Sequence, residues 1–242
     1  MPPPRPAPAS LESQHIVLIQ LDGLPLPQSL KPMLDARQIS QLHDRSTVRW
    51  HRNPPLRDSA VGPPDPPDPT PRLLTDLILT QHRANFDLWH EEDKAREPGA
   101  SDACIAQVKH NIDGLNQTRN DLVEAMDRAL IEAAGAQNPA APLHSETPGL
   151  IIDRLSILAL KIYHTAEEVH RASASEAHRQ KNLDRLTLLQ EQRSDLAACL
   201  EALWAEALSG KRRFKLYRQM KMYNDPELNP MMYAHKAAAE PS

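Results

Sequence analysis

The stretch from Leu143 to His164, LHSETPGLIIDRLSILALKIYH, limits the fold more than any other part of the chain. Thr147 suits a helix cap, and Pro148 suits the first helical turn that follows it. Beyond them Leu150, Ile151, Ile152, Leu155, Ile157, Leu158, Leu160 and Ile162 leave no polar face on a helix of 3.6-residue period. A helix apolar all round must be enclosed by other elements. Yet Asp153, Arg154, Lys161 and His164 sit on this one. Buried charges are costly unless paired or used, so the conflict marks a candidate site.

What encloses that helix follows from the distribution of breakers. Of the 23 prolines, 16 lie within residues 1–71. Residues 1–13 are expected to be disordered, 15–21 (HIVLIQL) to form a short strand or docking segment, 34–51 a short helix, and 53–71 an extended linker. The compact part is expected from Arg72, as an all-α bundle over 72–233, followed by a disordered tail, 234–242. Helical segments are predicted at 72–97, 102–134, 148–172 and 175–208, with a tail over 211–233 that starts as a basic helix. Aromatics are only 4% and glycines number 7, and Ala, Leu, Glu, Gln, Arg and Lys dominate, which favours helices over sheet. Helix 102–134 carries Ile105, Val108, Ile112, Leu115, Leu122, Met126, Ala129 and Ala133 at alternating spacings of three and four, a stripe about 50 Å long. Arg119 interrupts it, as Arg193 interrupts the matching stripe of 175–208 (Leu186, Leu189, Leu196, Leu200, Leu203, Ala207). Each arginine is either a salt-bridged edge residue or an anion-binding group. Such stripes serve a homo-oligomer as well as a monomer core.

The net charge of −4 gives no electrostatic case for nucleic acid. No run approaches the roughly 18 apolar residues of a membrane span, and the N-terminus lacks a signal-peptide core, so a cytoplasmic protein is expected. Cys104 and Cys199 read as ordinary small apolar residues rather than a disulfide or metal motif.

Four constellations carry polar chemistry. In TQHRANFDLWHEEDKARE, residues 80–97, His82, Asn85, Trp89, Glu92, Asp93 and Arg96 fall on an arc of roughly 100° that coincides with the apolar face, while Glu91, Lys94 and Glu97 point to solvent. Second, Lys109, Asp113, Asn116, Asn120 and Asp127 flank the apolar stripe of the next helix. Third, the helix start with His144, Ser145 and Thr147, together with Asp153, Arg154, Lys161 and His164, suits a phosphate or carboxylate, unless Ser145, Glu146 and Thr147 only cap the helix. Fourth, Lys211, Arg212, Arg213, Lys215, Arg218 and Lys221 place six positive charges in eleven residues before a turn-rich loop containing Asn224. That run is either a phosphate contact or a solvated face.

There is no Gly-rich phosphate loop, no HExxH and no nucleophile elbow. Glu92 and Asp93, with Glu124 and Asp127 on the next helix, resemble the acidic helix pairs of MazG-like nucleotide pyrophosphohydrolases, which would allow Mg²⁺.

Taken in order, HRANFDLWHEEDKAR, KHNIDGLNQTRND, LHSETPGLIIDRLSILALKIYH and KRRFKLYRQMKMYNDPELNP resemble the bacterial domain-of-unknown-function 4254 family over roughly residues 72–230. The resemblance implies an association with glycan or lipopolysaccharide assembly and names no reaction.

Three functions are expected to compete. The first is an accessory protein of cell-envelope polysaccharide biosynthesis that binds a phosphorylated or sugar-like ligand. The second is a Mg²⁺-dependent hydrolase or transferase, with Glu92 as metal ligand or base, His82 or His164 as acid/base, and Arg96 and Arg154 as phosphate clamps. The third is a helical interaction module whose buried polar residues only set helix register.

Overall fold

Four of the helices begin where a side chain accepts a free backbone N–H of the first turn. Asp35 accepts from Gln38 N at 2.8 Å and opens α1, Ala36–Arg52. Ser101 opens α3, Asp102–Ala134, and Thr147 opens α4, Pro148–His170, with a proline in its first turn. Ser175 opens α5, Glu176–Leu208. The remaining helix, α2, spans Leu74–Lys94. The third helix stops at Gly135, whose φ of 72° is open to glycine and strained for other residues. The computed structural model describes residues 34–53, 74–218, 227–228 and 230. The expectations for 1–13, 15–21, 54–71, Asn224 and 234–242 lie outside these. Among the described residues there is no strand, only one isolated bridge between Leu143 and Arg213.

The all-α bundle is what the sequence predicts, and α4 is its centre: it packs against each of the other four helices. Ile152 and Leu155 are completely buried and Ile151, Ala159 and Leu160 nearly so. Burying one such aliphatic side chain contributes about 1.5–3 kcal/mol. Around them lie Met126 and Leu130 of α3, Leu200, Leu203 and Trp204 of α5, and Leu77 and Ile78 of α2. The charges on α4 divide by face. Asp153 is buried, His164 is half-buried, and Arg154 and Lys161 are exposed.

Several expectations are corrected by this arrangement. The compact unit begins before Arg72, because α1 supplies Ala36 and Ile39 to the core and packs against α2, α4 and α5. The tail does not begin as a basic helix. Residues 212–218 are non-helical, and Phe214 is buried in the core. Pairing with the α3–α4 connection holds this strap. Arg213 N donates to Pro142 O at 3.1 Å, His144 N donates to Arg213 O at 2.7 Å, and Gln137 binds both backbone polar groups of Phe214. Its basic side chains are spent individually: Arg212 on Glu206, Arg213 on the Ala141 carbonyl, while Lys215 faces solvent. Finally, Cys104 and Cys199 are both exposed rather than apolar filler.

Candidate functional site

Three helices place polar groups around Asp153. Its Oδ1 accepts from Gln81 Nε2 at 2.5 Å and from Asn85 Nδ2 at 2.9 Å, and its Oδ2 takes an ion pair from Arg119 at 2.9 Å. The arginine that interrupts the α3 stripe is therefore the counter-ion of the acid that interrupts α4. Asn85 Nδ2 also donates to Ser156 Oγ at 2.9 Å. Rotating that amide would set its oxygen against a carboxylate, so Asp153 fixes its orientation.

The network continues inward to His82, which is completely buried. Its Nε2 lies 3.0 Å from the His43 carbonyl and 2.9 Å from Thr47 Oγ1. A carbonyl only accepts, so Nε2 carries the proton and Nδ1 accepts from Ser156 Oγ at 2.7 Å. Burial holds His82 down to about 4, so the neutral ring is the working form. His43, whose ring lies tilted 4.5 Å from it, is also held well below 6.5, first by burial and then by His82. The result is a directed run of bonds from Asn85 through Ser156 and His82 to the backbone of α1. His82 is thus a buried link, without access to an external substrate.

Beside this network lies a cleft of about 440 Å³ between α2, α3 and α4. Asn85, Trp89, Glu92, Asp93, Arg96 and Arg119 line it together with Leu88, Ile157 and Leu160. Glu92 is half-exposed and pairs with Arg96 at 2.9 Å. Two of its lining residues keep polar atoms that are buried and without a partner: Asn85 Oδ1 and Arg119 Nε.

The other sequence candidates fall elsewhere. Lys109 pairs with Asp113 at 2.6 Å on an exposed face of α3. Asn116 and Asn120 are half-buried on α3, outside the lining of the cleft. Arg154 is spent on Glu146 at 2.8 Å, and Ser145 is exposed. His144 Nδ1 donates locally, to the Glu146 carbonyl at 2.7 Å. The expected anion site at the start of α4 is already filled from within. Asp127 Oδ1 accepts from Gly149 N at 2.7 Å, and its Oδ2 accepts from Thr147 Oγ1 at 2.5 Å. Burial pushes this carboxyl up to about 6 despite both bonds. Gly149 permits the approach, since a Cβ there would lie 2.6 Å from Asp127 Oδ1 and 2.9 Å from Val123 O.

The same contact removes the acidic pairing expected for Mg²⁺. Asn111 is the α3 residue that meets Glu91, at 3.1 Å, and Asp127 lies about 24 Å further along the helix at 1.5 Å per residue. The angular reading of α2 also needs one correction. Glu91, expected in solvent, is buried and accepts from Lys94 at 2.6 Å. Facing both α3 and α4 makes the buried arc of α2 wider than that of a helix with one neighbour.

One group was missed. His51 of α1, His90 of α2 and His164 of α4 bring one ring nitrogen each within 4.8 Å of one another. Only His164 stands out in the sequence; three residues on separate helices leave no spacing motif. Tyr163 stacks on His51 at 4.3 Å, and Trp89 stacks on His164 at 4.7 Å. Burial lowers both His90 and His164 from 6.5.

No helix among the described residues is long and apolar enough to cross a membrane. Neither the curated proteins nor the solved structures contain a significant match to the chain. A family model described as a protein of unknown function, DUF4254, matches residues 75–216, a span that holds α2 to α5, the cleft and the whole Asp153 cluster, and the chain belongs to that family.

Proposed function

We propose that the cleft between α2, α3 and α4 binds a sugar phosphate or a related phosphorylated sugar, and that the protein serves as a binding accessory in cell-envelope polysaccharide biosynthesis, in the cytoplasm. The observation that carries the reading is the pair of unpartnered buried atoms on the lining residues. Asn85 Oδ1 is an acceptor waiting for a hydroxyl, and Arg119 Nε is a cationic donor waiting for an anion. Leaving a buried polar group unsatisfied costs about 1–3 kcal/mol, and a ligand that offers both partners recovers it. Trp89 supplies an apolar face for a sugar ring, and Glu92 and Asp93 accept from further hydroxyls.

A second reading, a Mg²⁺-dependent hydrolase or transferase, draws on Glu92 and Asp93 lining the same cleft, since Mg²⁺ is held by one or two carboxylates and substrate phosphates. A thermal-shift screen of sugar phosphates and nucleotide sugars, with and without Mg²⁺, separates the two. A rise in Tm that needs no metal, and that disappears when Ile157→Trp fills the cleft, supports the binding role. A rise that requires Mg²⁺ and is lost in Glu92→Gln supports the enzyme. No rise with any of these compounds refutes both.

A further inference from the structure

The geometry points to a site for a divalent transition metal of the zinc type, held by His51, His90 and His164. Three observations support it, none of which depends on the cleft's ligand. First, three different helices deliver three imidazoles whose nitrogens all lie within 4.8 Å of one another. With Zn–N bonds of about 2.0–2.1 Å, tetrahedral ligands stand roughly 3.3 Å apart, so small ring rotations close the gap.

Second, two of the rings already have their tautomers set for metal binding. His51 Nδ1 lies 2.8 Å from the Thr47 carbonyl, which only accepts, so the proton is on Nδ1 and Nε2 keeps its lone pair. His164 Nδ1 lies 2.9 Å from Glu167 Oε2, the carboxylate–histidine arrangement that orients metal-bound imidazoles. Both Nε2 atoms are buried and have no hydrogen-bond partner.

Third, the group is reachable. The side chains of His90 and His164 are 32% and 22% exposed. Three protein ligands with solvent access leave the fourth position of a tetrahedral ion to water or a ligand, as in open zinc sites. Trp89 links the group to the cleft: it stacks on His164 and lines the cleft.

The test uses the purified full chain, stripped with a chelator and titrated with Zn²⁺ alone against a chromophoric competitor. Co²⁺ substitution reports geometry through its visible spectrum. The expected result is one equivalent bound, a tetrahedral cobalt spectrum, and loss of both in His51→Ala, His90→Ala and His164→Ala; His110, exposed on α3 and outside the group, serves as the control, and His110→Ala should bind unchanged. Glu167 is half-exposed, so Glu167→Gln leaves the fold intact; it should weaken binding tenfold to a hundredfold. Circular dichroism of the stripped variants shows whether each is folded, and the Glu167 variant decides the matter if a histidine variant is not. Absence of saturable Zn²⁺ binding by the full chain overturns the proposal, as does equal affinity in the parent, the folded histidine variants and Glu167→Gln.

Discussion

Two buried carboxylates, Asp127 and Asp153, both join α3 to α4 and finish differently. Asp127 meets the start of α4, where Thr147 and Gly149 satisfy both oxygens. Its neighbourhood is closed, with a backbone approach so tight that only glycine fits. Asp153, about one and a half turns further on, gathers Gln81, Asn85 and Arg119, and each of those three retains a buried atom with no partner. A carboxylate alone therefore does not separate structure from function. What its partners have left over does.

The largest expected effect comes from removing the open centre. Asp153→Ala strands a buried amide pair and the Arg119 guanidinium and should cost about 3–5 kcal/mol of stability, read by urea denaturation. A loss as small as that of a surface substitution would show that Asp153 is not the organising charge. The closed centre should respond to volume. Gly149→Ala forces a methyl against Asp127 and the Val123 carbonyl, and should cost about 1–3 kcal/mol. An unchanged Tm would mean that α3 and α4 separate freely.

The two regions also oppose each other in acid. Asp127 is raised to about 6, so its contribution is complete below about 3.8 and is lost as pH rises through 6. His82 is lowered to about 4, so its contribution is complete above 6.5 and is lost as pH falls through 4. Each displacement is worth on the order of 3 kcal/mol, so these two nearly cancel. The lowered His43, joined by His90 and His164, then sets the sign. Stability should fall as pH drops from 6.5 towards 4, and Asp127→Asn should steepen that fall. A flat profile in the parent chain would contradict the buried-neutral assignment of the histidines. The smallest effect belongs to the cleft rim. Glu92→Gln breaks an exposed ion pair and should change stability by no more than about 0.5 kcal/mol, leaving ligand-induced shifts as its readout.

How much of this is legible in sequence depends on whether a signal is local. The cap at Thr147 and the all-round apolar surface of α4 are local, and they yield the start of α4 and its central place. Asp153 and Arg119 are visible as polar interruptions of apolar stripes, although their pairing across two helices is not. Asn85, Trp89, Glu92 and Arg96 share a helical arc and do line one cleft. Glu91 defeats that arc because α2 has neighbours on two sides. Asp127 fills the α4 terminus through a crossing that no single helix encodes. His51 is the extreme case: it lies in the last turn of α1, before a proline-rich stretch, and only tertiary packing brings it to His90 and His164.

The placement of α1 has a consequence for where the protein divides. The family match starts at residue 75, yet the His43 carbonyl and Thr47 receive the proton of His82, and His51 completes the histidine group. The span by which the chain is recognised is thus shorter than the span that closes its own interior. Cutting at the family boundary removes a wall, and the inner face of α2 meets water with its most deeply buried imidazole foremost.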